Sequence, residues 1–141
     1  MKKLIKKLTI ASLVTMCSSV LFVQVVMADI SVIANKASST ASLSEKQVKK
    51  LFLGKDDSMK PVDQSEGSTI RNDFYTKVAH KDEAKMKAYW SKMIFSGKAV
   101  PPESADDDAA VKAWVAKNKN GIGYIDSGSV DDSVKVVYTA N

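Results

Sequence analysis

The chain has 141 residues, with 21 lysines and arginines against 16 aspartates and glutamates, one histidine and one cysteine. Four lysines (Lys2, Lys3, Lys6 and Lys7) belong to an N-terminal leader; without them 17 cationic side chains meet 16 acids, and the formal charge falls from +5 to +1. Overall charge therefore gives no argument for nucleic acid or an anionic membrane, and losing Cys17 with the leader excludes disulfides, thiolate metal sites and cysteine nucleophiles.

Residues 1–28 are expected to lie outside the fold. The four lysines precede an apolar run from Leu8 to Val26, and Val26-Met27-Ala28 offers a cleavage site. The run is long enough for a membrane anchor, but its terminal position and the polar sequence after it favour a cleaved signal peptide. Val14-Thr15-Met16 lacks the small residue that lipoprotein processing needs before a cysteine. The remaining residues, 29–141, suffice for one compact domain with a modest core.

Ile30-Ser31-Val32-Ile33-Ala34 reads as the first strand. Ser42 or Ser44 caps a first helix, with Glu45 or Gln47 completing a capping box, Val48, Leu51 and Phe52 as its apolar stripe and Gly54 as its stop. A strand follows at Lys60-Pro61-Val62-Asp63. The second helix opens at Ser68 and Thr69 and turns Ile70, Phe74 and Val78 to one side. After a break at His80-Lys81-Asp82, Met86, Tyr89, Trp90, Met93 and Ile94 give a third helix, stopped by Gly97, Pro101 and Pro102. Asp106-Asp107-Asp108 lead into a fourth, with Ala110, Val111, Trp114 and Val115 on its buried face. Gly121 to Ile125 and Val134 to Tyr138 are the closing strands. Interleaved strands and helices without repeats or long linkers predict a single α/β domain.

The stretch Gln64-Ser65-Glu66-Gly67-Ser68-Thr69-Ile70-Arg71 carries the chemistry. A strand ends in a small polar loop and a helix begins, which leaves backbone N–H groups without partners and a partial positive charge. An anion can reach such amides, and Arg71 adds a fixed charge. Glu66 cuts both ways: it repels a fully ionised anion, yet accepts a proton from a protonated one and so favours hydrogen phosphate over sulfate. The plainer alternative is an ordinary capped helix after a turn.

Catalysis finds little support. His80 sits in a polar break and reads as a solvated surface residue. Asp106-Asp107-Asp108 lacks the alternating oxygen ligands of a calcium loop and reads as a helix start, and Asp131-Asp132 reads as a turn. Gly121-Ile122-Gly123 leads into a strand, whereas a phosphate-cradling loop opens a helix. Trp90 and Trp114 are expected in the core. Glu66 as a general base lacks a nucleophile or second acid beside it.

Four segments in order resemble the phosphate-type periplasmic substrate-binding proteins of ABC transporters: Leu43-Ser44 through Phe52-Leu53-Gly54-Lys55; Glu66-Gly67-Ser68 with Arg71 and Phe74; Tyr89-Trp90 through Phe95-Ser96-Gly97 to Pro101; and Gly121-Ile122-Gly123-Tyr124-Ile125. The resemblance implies an α/β fold that is a single lobe of the periplasmic-binding-protein kind, a mixed sheet flanked by helices. It implies a periplasmic or secreted protein without enzymatic activity or cofactor, holding inorganic phosphate or a similar oxyanion through Glu66, Gly67, Ser68, Thr69 and Arg71. An ABC permease or a second protein lobe would be its partner, with no nucleic acid and no membrane span after signal cleavage. Thr69 and Ile70 stand where the family places glycine and threonine. The rival expectation is a ligand-free module of the same fold that binds an envelope or sensor protein.

Overall fold

The computed structural model describes residues 29–141; the expected signal peptide lies outside the described residues. Five strands form one sheet in the order β3-β2-β4-β1-β5, with β1 Ile30–Asn35, β2 Lys60–Gln64, β3 Glu103–Ala105, β4 Gly121–Asp126 and β5 Val134–Ala140. The sheet is mixed: β1 runs antiparallel to both β4 and β5, whereas β2 runs parallel to β3 and β4. Among the described residues no helix is long and apolar enough to cross a membrane.

Strand alternation sends apolar side chains to both faces of the sheet. Val32, Ala34, Ile122 and Tyr124 meet α1 (Glu45–Phe52), α2 (Thr69–Ala79) and α3 (Glu83–Phe95) on one side. Ile33, Val62 and Ile125 meet Val111 and Val115 of α4 (Asp108–Lys117) on the other. The result is the expected helix-flanked mixed sheet. Gly123 sets the spacing on the α4 side: a Cβ there would lie 2.6 Å from Val111 Cγ1 and 2.9 Å from Val62 Cγ1. On the opposite side Phe74 stacks on Tyr124 with ring centroids 3.9 Å apart, and Phe52 meets both rings edge-on.

Local chemistry sets the helix starts. Ser44 and Gln47 form the reciprocal capping box of α1, which settles the choice against Ser42 and Glu45. Ser68, Asp82 and Asp107 cap α2, α3 and α4. His80 ends α2 in the left-handed region at φ 54° and is exposed to solvent.

Some expectations need correction. The third helix buries Met86 and Trp90, but Ile94 is 54 % exposed, at the border of a cleft it shares with Lys87, Pro101 and Pro102. Ala110 and Trp114 are only half-buried beside the fully buried Val111 and Val115, because Trp114 lies at the sheet margin and donates its Nε1–H to Glu103 at 2.8 Å. The segment after Pro102 contains the short edge strand β3, which pairs with β2 over three residues.

Candidate functional site

The parallel strands β2 and β3 both end on one edge of the sheet, where α2 and α4 then begin. In α/β sheets the carboxyl ends of parallel strands are where ligands are received. A cleft of about 290 Å³ opens there, lined by Asp63, Glu66, Arg71, Lys87, Trp90 and Ser104, among others.

Arg71 is the centre of this edge. It projects from the first turn of α2, which holds no acidic residue, and is 7 % exposed. Its Nε donates to Asp63 Oδ2 at 3.3 Å and its Nη1 donates to Glu83 Oε1 at 2.7 Å. Burial pulls the guanidinium pKa down, but the negative charges of Asp63 and Glu83 outweigh it, so the net shift is upward and Arg71 stays charged.

Beneath Arg71 lies a buried polar network. Asp63, 4 % exposed, accepts from Arg71 Nε, from the Tyr75 hydroxyl at 2.8 Å, from the Gln64 amide at 2.8 Å and from the Tyr124 hydroxyl. Four donors on one carboxylate satisfy a charge that would otherwise be costly to bury. Burial, and then the neighbouring Asp63 charge, push both tyrosine hydroxyls well above their ordinary range, so both remain protonated donors. Gln64 extends the network by donating its side-chain amide to Asp108 Oδ1 at 2.8 Å, and Asp108 in turn accepts from Ser129 Oγ at 2.8 Å.

Glu83 completes the corner from α3. Its Oε1 accepts both from Arg71 Nη1 and from the Gly67 amide, the latter at 3.4 Å. Two donors from the β2–α2 corner thus converge on one anionic oxygen, supplied by the chain itself. The other oxygen, Oε2, is buried and accepts no hydrogen bond among the described residues. The Glu83 amide donates to Asn72 Oδ1 at 3.1 Å, which ties the start of α3 to α2.

The residues singled out in the sequence divide accordingly. Glu66 and Arg71 line the same cleft, and Gly67, in the left-handed region at φ 82° with nothing near its missing Cβ, presents its amide to the Glu83 oxygen. Ser68 Oγ accepts the Arg71 amide at 3.4 Å as the helix cap. Thr69 lies on a different side, in a hollow shared with Asp73, Asp108 and Asp126. The structure adds Asp63, Tyr75, Glu83, Lys87 and Tyr124. Glu83 had the least signal, because in sequence it is one more acid in a helix's first turn.

No protein-family profile and no curated protein sequence matches the chain. Solved structures do. An ABC-type phosphate transport receptor from Vibrio cholerae superposes with a TM-score of 0.61 at 19 % identity, covering 78 % of this chain and 46 % of its own. A protein described as a phosphate ABC transporter substrate-binding protein from Clostridium perfringens, solved with bound phosphate, gives a TM-score of 0.61 at 28 % identity, covering 78 % of this chain and 45 % of its own. The chain spans less than half the length of either neighbour. The likeness supports a fold of the phosphate-binding-protein kind, and both neighbours are described as transport proteins rather than enzymes.

Proposed function

We propose that this chain is an exported, non-enzymatic binding lobe that takes inorganic phosphate or a similar oxyanion at the corner between β2 and α2. The supporting observation is the seat that Glu83 Oε1 occupies: a carboxylate oxygen held by Arg71 Nη1 and the Gly67 amide stands in for an oxygen of the ligand. In the proposed bound state the anion displaces the Glu83 side chain and keeps both donors. Lys87 and Ser104 close in from the cleft walls, and Glu66 selects a protonated anion. Gly67 supplies the uncluttered approach, Ser68 fixes the first turn, and Thr69 contributes to the helix start. Residues 1–28 act as the cleaved signal peptide, placing residues 29–141 in the periplasm or outside the cell.

Affinity is weak for two reasons. The anion competes with an internal carboxylate, and the open cleft cannot bury the ligand without a second surface, such as another lobe or an ABC permease. Titration calorimetry with phosphate and with sulfate tests the reading: it predicts heat at millimolar ligand that weakens in Lys87→Ala. No heat from either anion, with the protein folded, rejects it.

One observation favours a second reading. The Gly67 amide and the backbone N–H, Nε and Nη1 of Arg71 are already engaged within the chain. A ligand-free module that binds an envelope or sensor protein has this property. It predicts no anion binding even when Glu83 is replaced by glutamine.

A further inference from the structure

The charges of the chain nearly balance in sum but are segregated in space. Asp106, Asp107, Asp108 and Asp131 gather around one hollow at the start of α4, where Lys112 pairs with Asp131 at 2.8 Å. The opposite sign collects on α3, whose exposed residues include Lys85, Lys87 and Lys92, with Lys98 on the turn that follows. Glu83, the acid of that helix, is paired with Arg71, with its side chain 35 % exposed.

The same surface carries the largest exposed apolar side chains among the described residues. Phe95 is 95 % exposed, Val100 77 % and Ile94 54 %. Helical spacing places Ala84, Ala88, Ser91 and Phe95 along one outward line, with Lys85 and Lys92 to one side and Lys87 to the other. After Phe95 the chain reverses: Gly97 sits at φ 66°, and the amides of Gly97 and Lys98 return to the carbonyls of Ile94 and Met93. A Cβ at Gly97 would meet nothing within 4 Å. Phe95 therefore stands on a projecting tip, while Val100 borders a hollow it shares with Lys98, Asp56, Asp57 and Glu103, and Ile94 borders the cleft of Arg71.

We propose that the outward face of α3, with the turn carrying Phe95 and Val100, is a peripheral docking surface for an anionic phospholipid membrane. A protruding aromatic and a branched aliphatic flanked by lysines match the bilayer interface: apolar groups enter the headgroup–acyl boundary while the lysine stems lie along it and the ammonium groups meet lipid phosphate. A 13-residue helix with cations on both flanks lies in the interface plane and does not span the bilayer. The acidic hollow at α4 is repelled by the same surface and orients the lobe. Lys87, Ser91 and Ile94 also border the anion cleft, whereas Phe95 and Val100 do not, so a change at those two positions leaves the anion seat intact and separates the two readings.

Amide hydrogen exchange on the full chain tests it, with vesicles of phosphatidylcholine alone or containing about a quarter phosphatidylglycerol. The expected result is exchange over residues 93–101 slowed at least about threefold on the anionic vesicles only. The slowing is lost in Phe95→Ser/Val100→Ser and reduced at high salt. These side chains are exposed, so the double variant keeps its thermal midpoint. The N-terminal apolar run can tether the chain to either vesicle, and exchange at 93–101 separates that tethering from docking. No slowing overturns the proposal, as does equal slowing on neutral vesicles. Slowing without vesicles that grows with protein concentration assigns the tip to a second copy and overturns it too.

Discussion

Replacing Glu83 by glutamine isolates the competition at the anion seat. Glu83 Oε1 lies 2.7 Å from Arg71 Nη1 and 3.4 Å from the Gly67 nitrogen, so a ligand oxygen must exclude it to reach both donors. At this edge Arg71 and Lys87 face Asp63, Glu66 and Glu83; the substitution turns two cations against three carboxylates into two against two. Opposite charges about 4 Å apart attract by about 4 kcal/mol at an effective dielectric of 20 and about 1 kcal/mol in water. The Glu83 side chain is 35 % exposed, so screening brings the pair to about 1–2 kcal/mol. Its unpartnered Oε2 keeps the contribution at the lower end. Removing the competing charge therefore raises oxyanion affinity by about fivefold, with thermal stability lowered slightly. Calorimetry of wild type and Glu83→Gln against phosphate and sulfate at one pH measures this. A folded variant that binds no more tightly than wild type refutes the seat as the binding position.

Three further outcomes follow from the same network and packing. Arg71→Ala leaves Asp63 buried without its cation and costs about 3–5 kcal/mol in urea unfolding; a loss below about 1 kcal/mol means that the tyrosine hydroxyls and the Gln64 amide suffice. Gly123→Ala forces a methyl to within 2.6 Å of Val111 Cγ1 and lowers stability by about 1–3 kcal/mol, whereas an unchanged midpoint means that α4 can lift from the sheet at no cost. The hydroxyls of Tyr75 and Tyr124 hold their protons in the fold beyond the ordinary value of 10.0, through burial first and then Asp63. Above about pH 10 the folded state therefore binds more protons than the unfolded one. The stability these groups contribute is full below that pH and declines as the pH rises further. Urea midpoints across the alkaline range should fall, and fall less steeply in Tyr75→Phe; a slope indifferent to that substitution removes Tyr75 from the account.

Much of the architecture was legible in the chain because it rests on local chemistry. Ser44 with Gln47, Ser68, Asp82 and Asp107 mark helix starts by side chains that reach only three residues onward. The alternation Ile30, Val32, Ala34 against Ser31, Ile33 declares a strand buried on both faces. The short β3 was not legible, since three residues after Pro101-Pro102 become a strand only because β2 offers an edge.

The corner at Gly67 and Arg71 was visible as a helix start with an anion-binding composition, a property of backbone geometry that sequence carries directly. What fills that corner was decided by tertiary structure alone. Asp63, eight residues before Arg71, and Glu83, twelve after it, become its partners only when α2 lies against β2 and α3 folds back on α2. Pairing at such separations depends on how elements pack, and charged residues carry no periodic mark that records it. Sequence determined that a donor-rich corner exists; packing determined that the chain answers it with a carboxylate of its own.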